Sequence, residues 1–168
     1  RCMSSIIRGD DNFDTNAIAR SNRPSFSAKI HPSGATVSNN AWTKVLWTGT
    51  DIVDTDSGFA DSKFTPQTAG TYFFAARVTF SQVDNDGANH IGLRKNGNTI
   101  HQVRFYSGNP SGGGGAETSG LSIQFLDTAN GSSDYYEIYV LQNSGTRSIQ
   151  GSTNFDGSCF FGFKLAGA

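Results

Sequence analysis

The sequence predicts an all-β domain, built as a two-sheet antiparallel sandwich of nine or ten short strands. Strong helix formers are scarce, because the 168 residues include only 6 Leu, 2 Glu and 1 Met, whereas 20 are Gly. Phe dominates the aromatic residues, with 13 Phe against 5 Tyr and 2 Trp, and aromatic rings favour strands. Apolar and polar residues also alternate in short segments that end at Gly or Asn turns, which is the period of a half-buried strand.

The first part of the chain is polar and shows no period. We therefore predict an N-terminal arm or linker over residues 1–24 and one folded domain over residues 25–168. A domain of this length buries enough surface to fold without a metal or a disulfide. Cys2 and Cys159 lie at opposite ends, where they form one bridge or remain reduced, and two cysteines define no disulfide framework.

Three segments in the first half carry strand signals. Residues 25–30 alternate with Phe26 and Ala28 on one face, and residues 42–47 form a second apolar segment. The strongest strand is predicted over residues 70–80, where both faces are partly apolar. A strand of this kind is expected to pack against other groups on both sides. Its two faces carry Tyr72, Phe74, Ala76, Val78 and Phe80 on one side and Phe73, Ala75, Arg77 and Thr79 on the other.

Asn-Gly turns organise the second half. Asn96-Gly97 lies between the predicted strands 90–95 and 99–106, and this dipeptide favours a two-residue type I′ hairpin. Residues 112–115 are four glycines and predict an adaptable surface loop. Further strands are predicted over residues 121–125, 135–141, 147–150 and 159–165. In the last of these, Phe161, Phe163 and Leu165 share one face and Phe160 lies on the other.

One aromatic motif resembles a known family. Five residues separate Phe64 from Gly70, and single residues separate Gly70, Tyr72 and Phe74. This pattern resembles the signature of the globular head of complement component one-q, a jelly roll shared with the tumour-necrosis-factor family, although Ala76 stands where that signature has another aromatic. The resemblance implies a ten-stranded two-sheet antiparallel jelly-roll sandwich that is homotrimeric. Three further segments occur in the family's order, at residues 25–28, 95–97 and 161–165.

The resemblance also implies where the subunits meet. In this family the first, the central and the last strands line a threefold axis. Phe73 and Ala75, on the second face of the strand 70–80, and Phe160, on the last strand, are therefore expected at the trimer interface. The alternative is a monomer in which loops cover Phe73 and Phe160.

The arm suggests a setting for such a trimer. Residues 4–16 are similar to the start of short tail or fibre proteins of bacteriophages, which implies a virion-surface protein whose arm contacts other virion proteins. The head would then bind a host cell-surface glycan or protein. Two alternatives stay open: a structural virion protein, such as a capsid decoration or a fibre-capping trimer, and a secreted lectin-like recognition protein.

Charge and motifs argue against several other functions. The chain carries 13 basic and 14 acidic residues, for a net charge of −1, and has no basic stripe, so a nucleic-acid partner is not expected. The longest apolar runs fall far short of the roughly 20 residues that cross a bilayer, so membrane insertion is not expected. No Gly-x-Ser-x-Gly motif occurs and the three histidines lack zinc-ligand spacing, so we do not predict an enzyme.

Two kinds of binding residue remain as candidates. Asp54 and Asp56 alternate in a loop that closes on Gly58, as oxygen ligands do in calcium loops, and the alternative is a pair of solvated turn carboxylates. Tyr106 and Tyr135 lie near strand ends, where an aromatic ring could stack on a sugar. Packing in the core is the alternative for Tyr135.

Overall fold

The structure is a computed structural model that describes residues 24–31, 34–49, 53–83, 87–107, 117–143, 145–151 and 157–165. The predicted arm up to residue 23, Cys2 and the glycine loop 112–115 lie outside the described residues. Within those ranges the chain forms thirteen strands. No helix in this described part is long and apolar enough to cross a membrane.

Seven of the strands form one sheet, in which all paired strands are antiparallel. The long central strand β7 pairs with β10 along one edge and with β13 and β12 along the other, and β1 follows β13. The members are β1 (Ser25–Lys29), β2 (Ala35–Val37), β4 (Val53–Asp54), β7 (Gly70–Val83), β10 (Glu117–Ala129), β12 (Arg147–Ile149) and β13 (Cys159–Lys164).

The other six strands form the second sheet, and these pairs are also antiparallel. At its centre β11 pairs with β8, and β8 pairs in turn with β9. Its members are β3 (Thr43–Lys44), β5 (Phe59–Ala60), β6 (Lys63–Phe64), β8 (Gly87–Lys95), β9 (Asn98–Ser107) and β11 (Tyr136–Gln142). The prediction of an all-β, two-sheet antiparallel sandwich is therefore confirmed.

The hairpin between β8 and β9 has the predicted turn. Asn96 and Gly97 have φ angles of 52° and 81°, and positive φ at both central residues defines the type I′ geometry. Gly70, at the start of β7, has a φ of 145°, which L side chains rarely adopt. The glycine of the aromatic motif is therefore required by the backbone at the point where the strand begins.

Short strands account for most of the difference between the predicted and observed elements. Strands β2, β4, β5 and β6 contain two or three residues each, too few to show a period of two. Within the predicted segment 42–47, only Thr43 and Lys44 pair as a strand. The remaining polar backbone groups find other partners: the Val45 N–H donates to Ile138 O at 2.9 Å, and the Trp47 N–H donates to Ser62 Oγ at 2.9 Å.

Aromatic rings fill the space between the sheets. Phe26 of the seven-stranded sheet stacks on Phe64 of the six-stranded sheet, with ring centroids 4.2 Å apart. Phe74 and Tyr136 contact each other across the sandwich at the same centroid distance, 4.2 Å, with their rings tilted by 31°. Phe160 meets Phe26 edge-on at 4.7 Å. Offset and edge-on pairs of this kind add to the stabilisation that burial alone provides.

Gly162 leaves the room that two of these rings occupy. A Cβ atom at this position would lie 2.8 Å from Phe74 Cδ1, 2.9 Å from Phe26 Cε1 and 2.9 Å from the Phe73 carbonyl oxygen. Such distances are shorter than van der Waals contact, and the neighbouring atoms belong to buried rings and to backbone. A side chain at 162 would therefore displace the Phe26 and Phe74 rings, which pack against the other sheet.

We expect Gly162→Ala to lower the free energy of unfolding by about 1–3 kcal/mol, the usual cost of overpacking a core. Urea denaturation measures this change. Gly120→Ala is the matched control, because a Cβ there meets its nearest atom, Arg77 Nε, at an ordinary 3.7 Å. Equal stability of the two variants would contradict the packing described for Gly162.

Candidate functional site

The outer face of the seven-stranded sheet carries a row of apolar side chains. Phe73 of β7 contacts Phe163 and Phe161 of β13, with ring centroids 5.5 Å and 6.4 Å apart. Leu126 of β10 pairs with Phe73 on the other side, and Ala75 pairs with Phe161. We call these five residues the aromatic face. Leu126 is 53% exposed and Phe161 is 37% exposed.

The assignment of Phe160 to this face is corrected by the structure. Phe160 is fully buried inside the subunit, where it pairs with Ala76 and contacts Phe74. Successive side chains of a strand point to opposite faces, so β13 sends Phe160 inward and Phe161 outward. Phe73 and Ala75 lie on the outer face, as predicted, and Phe161 occupies the place that the sequence analysis gave to Phe160.

Asp54 holds its own loop closed. Its Oδ1 accepts a hydrogen bond from the Gly58 N–H at 3.0 Å, and its Oδ2 accepts one from the Phe59 N–H at 2.8 Å. Asp56 is exposed. Among the described residues, no group of three or more His, Cys, Asp or Glu side chains is arranged to hold a metal ion. The geometry therefore gives Asp54 a loop-closing role and adds no third acidic ligand to the predicted calcium site.

Tyr106 and Tyr135 lie at opposite ends of the β8–β9 hairpin and do not form one site. Tyr106 pairs with Ala88, whereas the Tyr135 N–H donates to Asn96 Oδ1 at the turn. The eight residues from Ala88 to Lys95 are seven strand rises and span about 23 Å. Tyr106 is 57% exposed and is available to a ligand, whereas Tyr135 is half-buried.

Next to Tyr135, a cluster of charged and amide groups joins the hairpin turn to the β10–β11 connection. Lys95 Nζ lies 2.9 Å from Asp127 Oδ2 and 3.3 Å from Asp134 Oδ2, and it donates to Thr128 O at 2.6 Å. The Asn96 side chain donates to Asp134 Oδ1 at 2.8 Å. Because these groups satisfy one another, the cluster has a structural role.

Burial and the contacts of this cluster shift three pKa values. The hydrogen bond from Asn96 is the main cause that holds the pKa of Asp134 below its ordinary value, with help from the Asn130 N–H and Lys95. Burial opposes the charge of Lys95, but hydrogen bonds to Asp127 and Asp134 outweigh it and raise the Lys95 pKa. Burial moves the pKa of Tyr136 upward, and its hydroxyl donates to Asp127 Oδ2 at 2.6 Å.

The outer face of the six-stranded sheet carries residues that the sequence analysis did not single out. Trp42 lies over Gly92, whose missing Cβ would come within 3.3 Å of the indole ring. His90 meets the Trp42 ring edge-on at 5.8 Å. The Arg94 guanidinium lies 5.5 Å from the Trp42 ring and 3.8 Å from the Tyr139 ring.

This face continues onto β9. Arg104 pairs with His90, and its guanidinium lies 4.2 Å from the Tyr106 ring. The alternation of His90, Gly92 and Arg94 along β8 was the available sequence signal. It could not show that Trp42, fifty positions before Gly92 in the chain, covers that glycine.

The lowered pKa of Asp134 makes the contribution of its charge to stability testable through the pH dependence of unfolding. A depressed folded-state pKa stabilises the protein above the unfolded value, near 3.8, and this contribution is lost as the pH falls through the folded value. We expect Asp134→Asn to lower the free energy of unfolding by about 1 kcal/mol at pH 7, and by less as the pH falls below 4. Urea denaturation over this pH range measures both effects.

Asp61→Asn is the control for this test, because Asp61 is exposed. Its positive φ of 51° suits Asn as well as Asp. A stability difference between Asp134→Asn and the unsubstituted protein that stays constant from pH 7 to pH 3 would contradict the role assigned to the Asp134 charge.

Comparisons with known proteins identify the type of fold. No protein-family model matches the sequence, and no curated protein matches it. The chain is similar to the structure of Eiger TNF from S. frugiperda, with a TM-score of 0.59 and 15% identity, covering 87% of this chain and 96% of that chain. It is also similar to murine APRIL, with a TM-score of 0.54 and 11% identity, covering 84% and 97%. The chain therefore has an all-β jelly-roll fold of the tumour-necrosis-factor type.

Proposed function

We propose that the chain is a non-enzymatic head domain that assembles as a homotrimer and binds a receptor. The observation that carries this proposal is the aromatic face. It places Phe73, Phe161 and Phe163 side by side on the outside of a sheet whose inner side already packs the core. A subunit that stayed alone would leave these rings in water, where a large apolar patch favours association.

The position of the aromatic face suits contact with further copies of the chain. The face lies on β7, β10 and β13, in the middle of the larger sheet. Val53 of β4, which is 57% exposed, extends the apolar surface beyond Ser27 of β1. Closed rings of identical subunits bury one patch against a different patch of the next copy, so a face this broad can serve a threefold assembly. The jelly-roll fold of the structural neighbours supports the same arrangement.

We further propose that this trimer is the receptor-binding head of a bacteriophage tail or fibre, located at the virion surface. The similarity of residues 4–16 to phage tail and fibre proteins supports this role, and the arm would contact other virion proteins. The receptor would be a host cell-surface glycan or protein. Three linked heads would turn weak single sites into useful avidity.

A structural virion role is the second candidate. The same aromatic face would lock three chains together in a capsid decoration or a fibre cap, with no receptor involved. A secreted lectin-like recognition protein is the third candidate, because the same fold can bind a ligand outside a virion. Host-cell binding separates the first candidate from the second.

The trimer is tested by placing a charge on the aromatic face. We expect Leu126→Glu and Phe161→Glu to shift the protein from trimer to monomer, because a buried unpaired carboxylate costs several kcal/mol at an interface. Analytical ultracentrifugation measures the mass. Leu46→Glu is the matched control, since Leu46 is 52% exposed and Leu126 is 53% exposed. A monomeric unsubstituted protein, or a trimer unaffected by both substitutions, would refute the assembly.

Receptor binding is tested with the isolated head. We expect fluorescently labelled trimer to adsorb to cells of a susceptible host and to slow virion adsorption in competition. Saturable adsorption that unlabelled trimer displaces supports the receptor-binding role. A stable trimer that neither adsorbs nor competes would instead favour the capping role.

A further inference from the structure

We propose that the outer face of the six-stranded sheet is a binding site for an anionic carbohydrate, one that carries carboxylate or sulfate groups. This inference rests on the proposed receptor-binding function and names the ligand class. The site consists of six side chains: three aromatic residues, two arginines and one histidine. We call it the aromatic-basic ladder: Tyr139, Arg94, Trp42, His90, Arg104 and Tyr106.

The ladder is held by contacts within the sheet. Tyr139 and Gly92 are paired residues on β11 and β8, and Trp42 fills the space above Gly92. Arg94 lies between the Trp42 and Tyr139 rings, at 5.5 Å and 3.8 Å. Aromatic neighbours restrict the orientation of a guanidinium plane but do not use its N–H donors. The loss of side-chain entropy is therefore small when a ligand binds Arg94.

The two arginines supply charge that no ion pair among the described residues neutralises. Within the described residues, the ion pairs found do not include Arg94 or Arg104. The acidic residue nearest in register is Glu137, which pairs with Arg94 in the sheet, yet Glu137 Oε1 lies 2.6 Å from Lys44 Nζ. Lys44 and Glu137 cancel each other, so the ladder keeps two positive charges on a chain of net charge −1.

His90 lies between the two arginines on the ladder and is neutral near pH 7, so it adds no charge. Burial is the main cause that lowers its pKa, and the positive charge of Arg104 acts in the same direction. The imidazole then offers a neutral ring that can donate or accept a hydrogen bond. In the part of the chain that the structure describes, His90 Nδ1 and Arg94 Nε are buried without a hydrogen-bond partner. Unpartnered polar atoms beneath an exposed surface are uncommon in folded proteins.

Carbohydrate fits this surface better than other polyanions. Strand β8 pairs with β11 on one edge and with β9 on the other, so a peptide that adds as a further strand would have to lie beside the end strand β9, away from Arg94 and Trp42. Nucleic acids are held mainly by many phosphate contacts, which two arginines do not supply. A sugar can stack on exposed rings such as Tyr106 while its anionic groups take the forked donors of arginine.

The location of the ladder agrees with a receptor-facing role. It lies on the six-stranded sheet, whereas the aromatic face lies on the seven-stranded sheet. The two sheets pack against each other through the core, so the ladder points away from any contact made by Phe73 and Phe161. A trimer would therefore carry three ladders on its outside, facing away from the threefold axis, and a long repeating ligand that reaches more than one of them would bind with higher overall affinity.

Calorimetric titration of the full chain with three polysaccharides tests the proposal. We expect polygalacturonate or dextran sulfate to bind, uncharged dextran not to bind, and affinity to fall as salt increases. The response to each acidic polymer shows whether carboxylate or sulfate is preferred. Arg104→Gln should weaken binding about tenfold, the usual effect of one charge-assisted hydrogen bond, and the double variant Arg94→Gln, Arg104→Gln should weaken it further.

Lys63→Gln is the matched control, because it removes one charge from a cation-aromatic pair outside the ladder, 5.1 Å from the Tyr135 ring. It should leave the affinity unchanged, and thermal melting should show that every variant is folded. Arg104 is exposed, so Arg104→Gln keeps the test valid even where the double variant is unstable. The proposal is overturned if neither acidic polymer binds, if Lys63→Gln weakens binding as much as Arg104→Gln, or if dextran binds equally well.

Two further measurements distinguish carbohydrate binding at the ladder from nucleic-acid binding and from trimer formation. Single-stranded oligothymidylate that binds more tightly than both acidic polysaccharides would overturn the carbohydrate assignment in favour of nucleic acid. Mass measurement on the same samples separates the ladder from the assembly. A monomer that still binds polygalacturonate through Arg104 supports the ladder and refutes the trimeric head, whereas a trimer that binds none of the polymers refutes the ladder alone.

Discussion

The rest of the structure depends on close aromatic packing between the two sheets. Phe26 and Phe74 of the seven-stranded sheet pack against Phe64 and Tyr136 of the six-stranded sheet at the same centroid distance, 4.2 Å. Gly162 leaves the room that the Phe26 and Phe74 rings occupy. Since successive side chains alternate along a strand, the residues that enter this stack also decide which of their neighbours face outward.

Two outer surfaces of different chemistry follow from that alternation. On the seven-stranded sheet, the inward placement of Phe74 and Phe160 sends Phe73, Phe161 and Phe163 outward as an apolar surface. On the six-stranded sheet, burial of Ile91 and Leu93 sends His90 and Arg94 outward beneath Trp42. An apolar surface favours contact with another protein surface, whereas a surface of arginines and rings favours an anionic ligand. One core therefore supports two outer surfaces of different chemistry on opposite sides of the subunit.

Much of the fold could be predicted because its longer strands carry their own signals. The alternation in β7 and β1, the Asn96-Gly97 turn and the glycine at position 70 each depend on neighbouring residues alone. The prediction for Phe160 was wrong because β13 has aromatic residues on both faces, so the period of two does not say which face is buried. The arrangement of the candidate ligand residues could not be predicted, since Tyr106 and Tyr135 are both near strand ends yet lie at opposite ends of one hairpin.

Local properties of the sequence are enough to predict the all-β class, the sandwich, the hairpin turn and the aromatic motif of the core, because scarcity of helix formers, alternation and turn chemistry do not depend on distant residues. The three-dimensional packing sets which face of β13 is buried, which groups Asp54 binds, and that Trp42 covers Gly92 beside Arg94. Each of these depends on strand register and on contacts between residues far apart in the chain. Local patterns do not specify such contacts; the packing of the whole domain does.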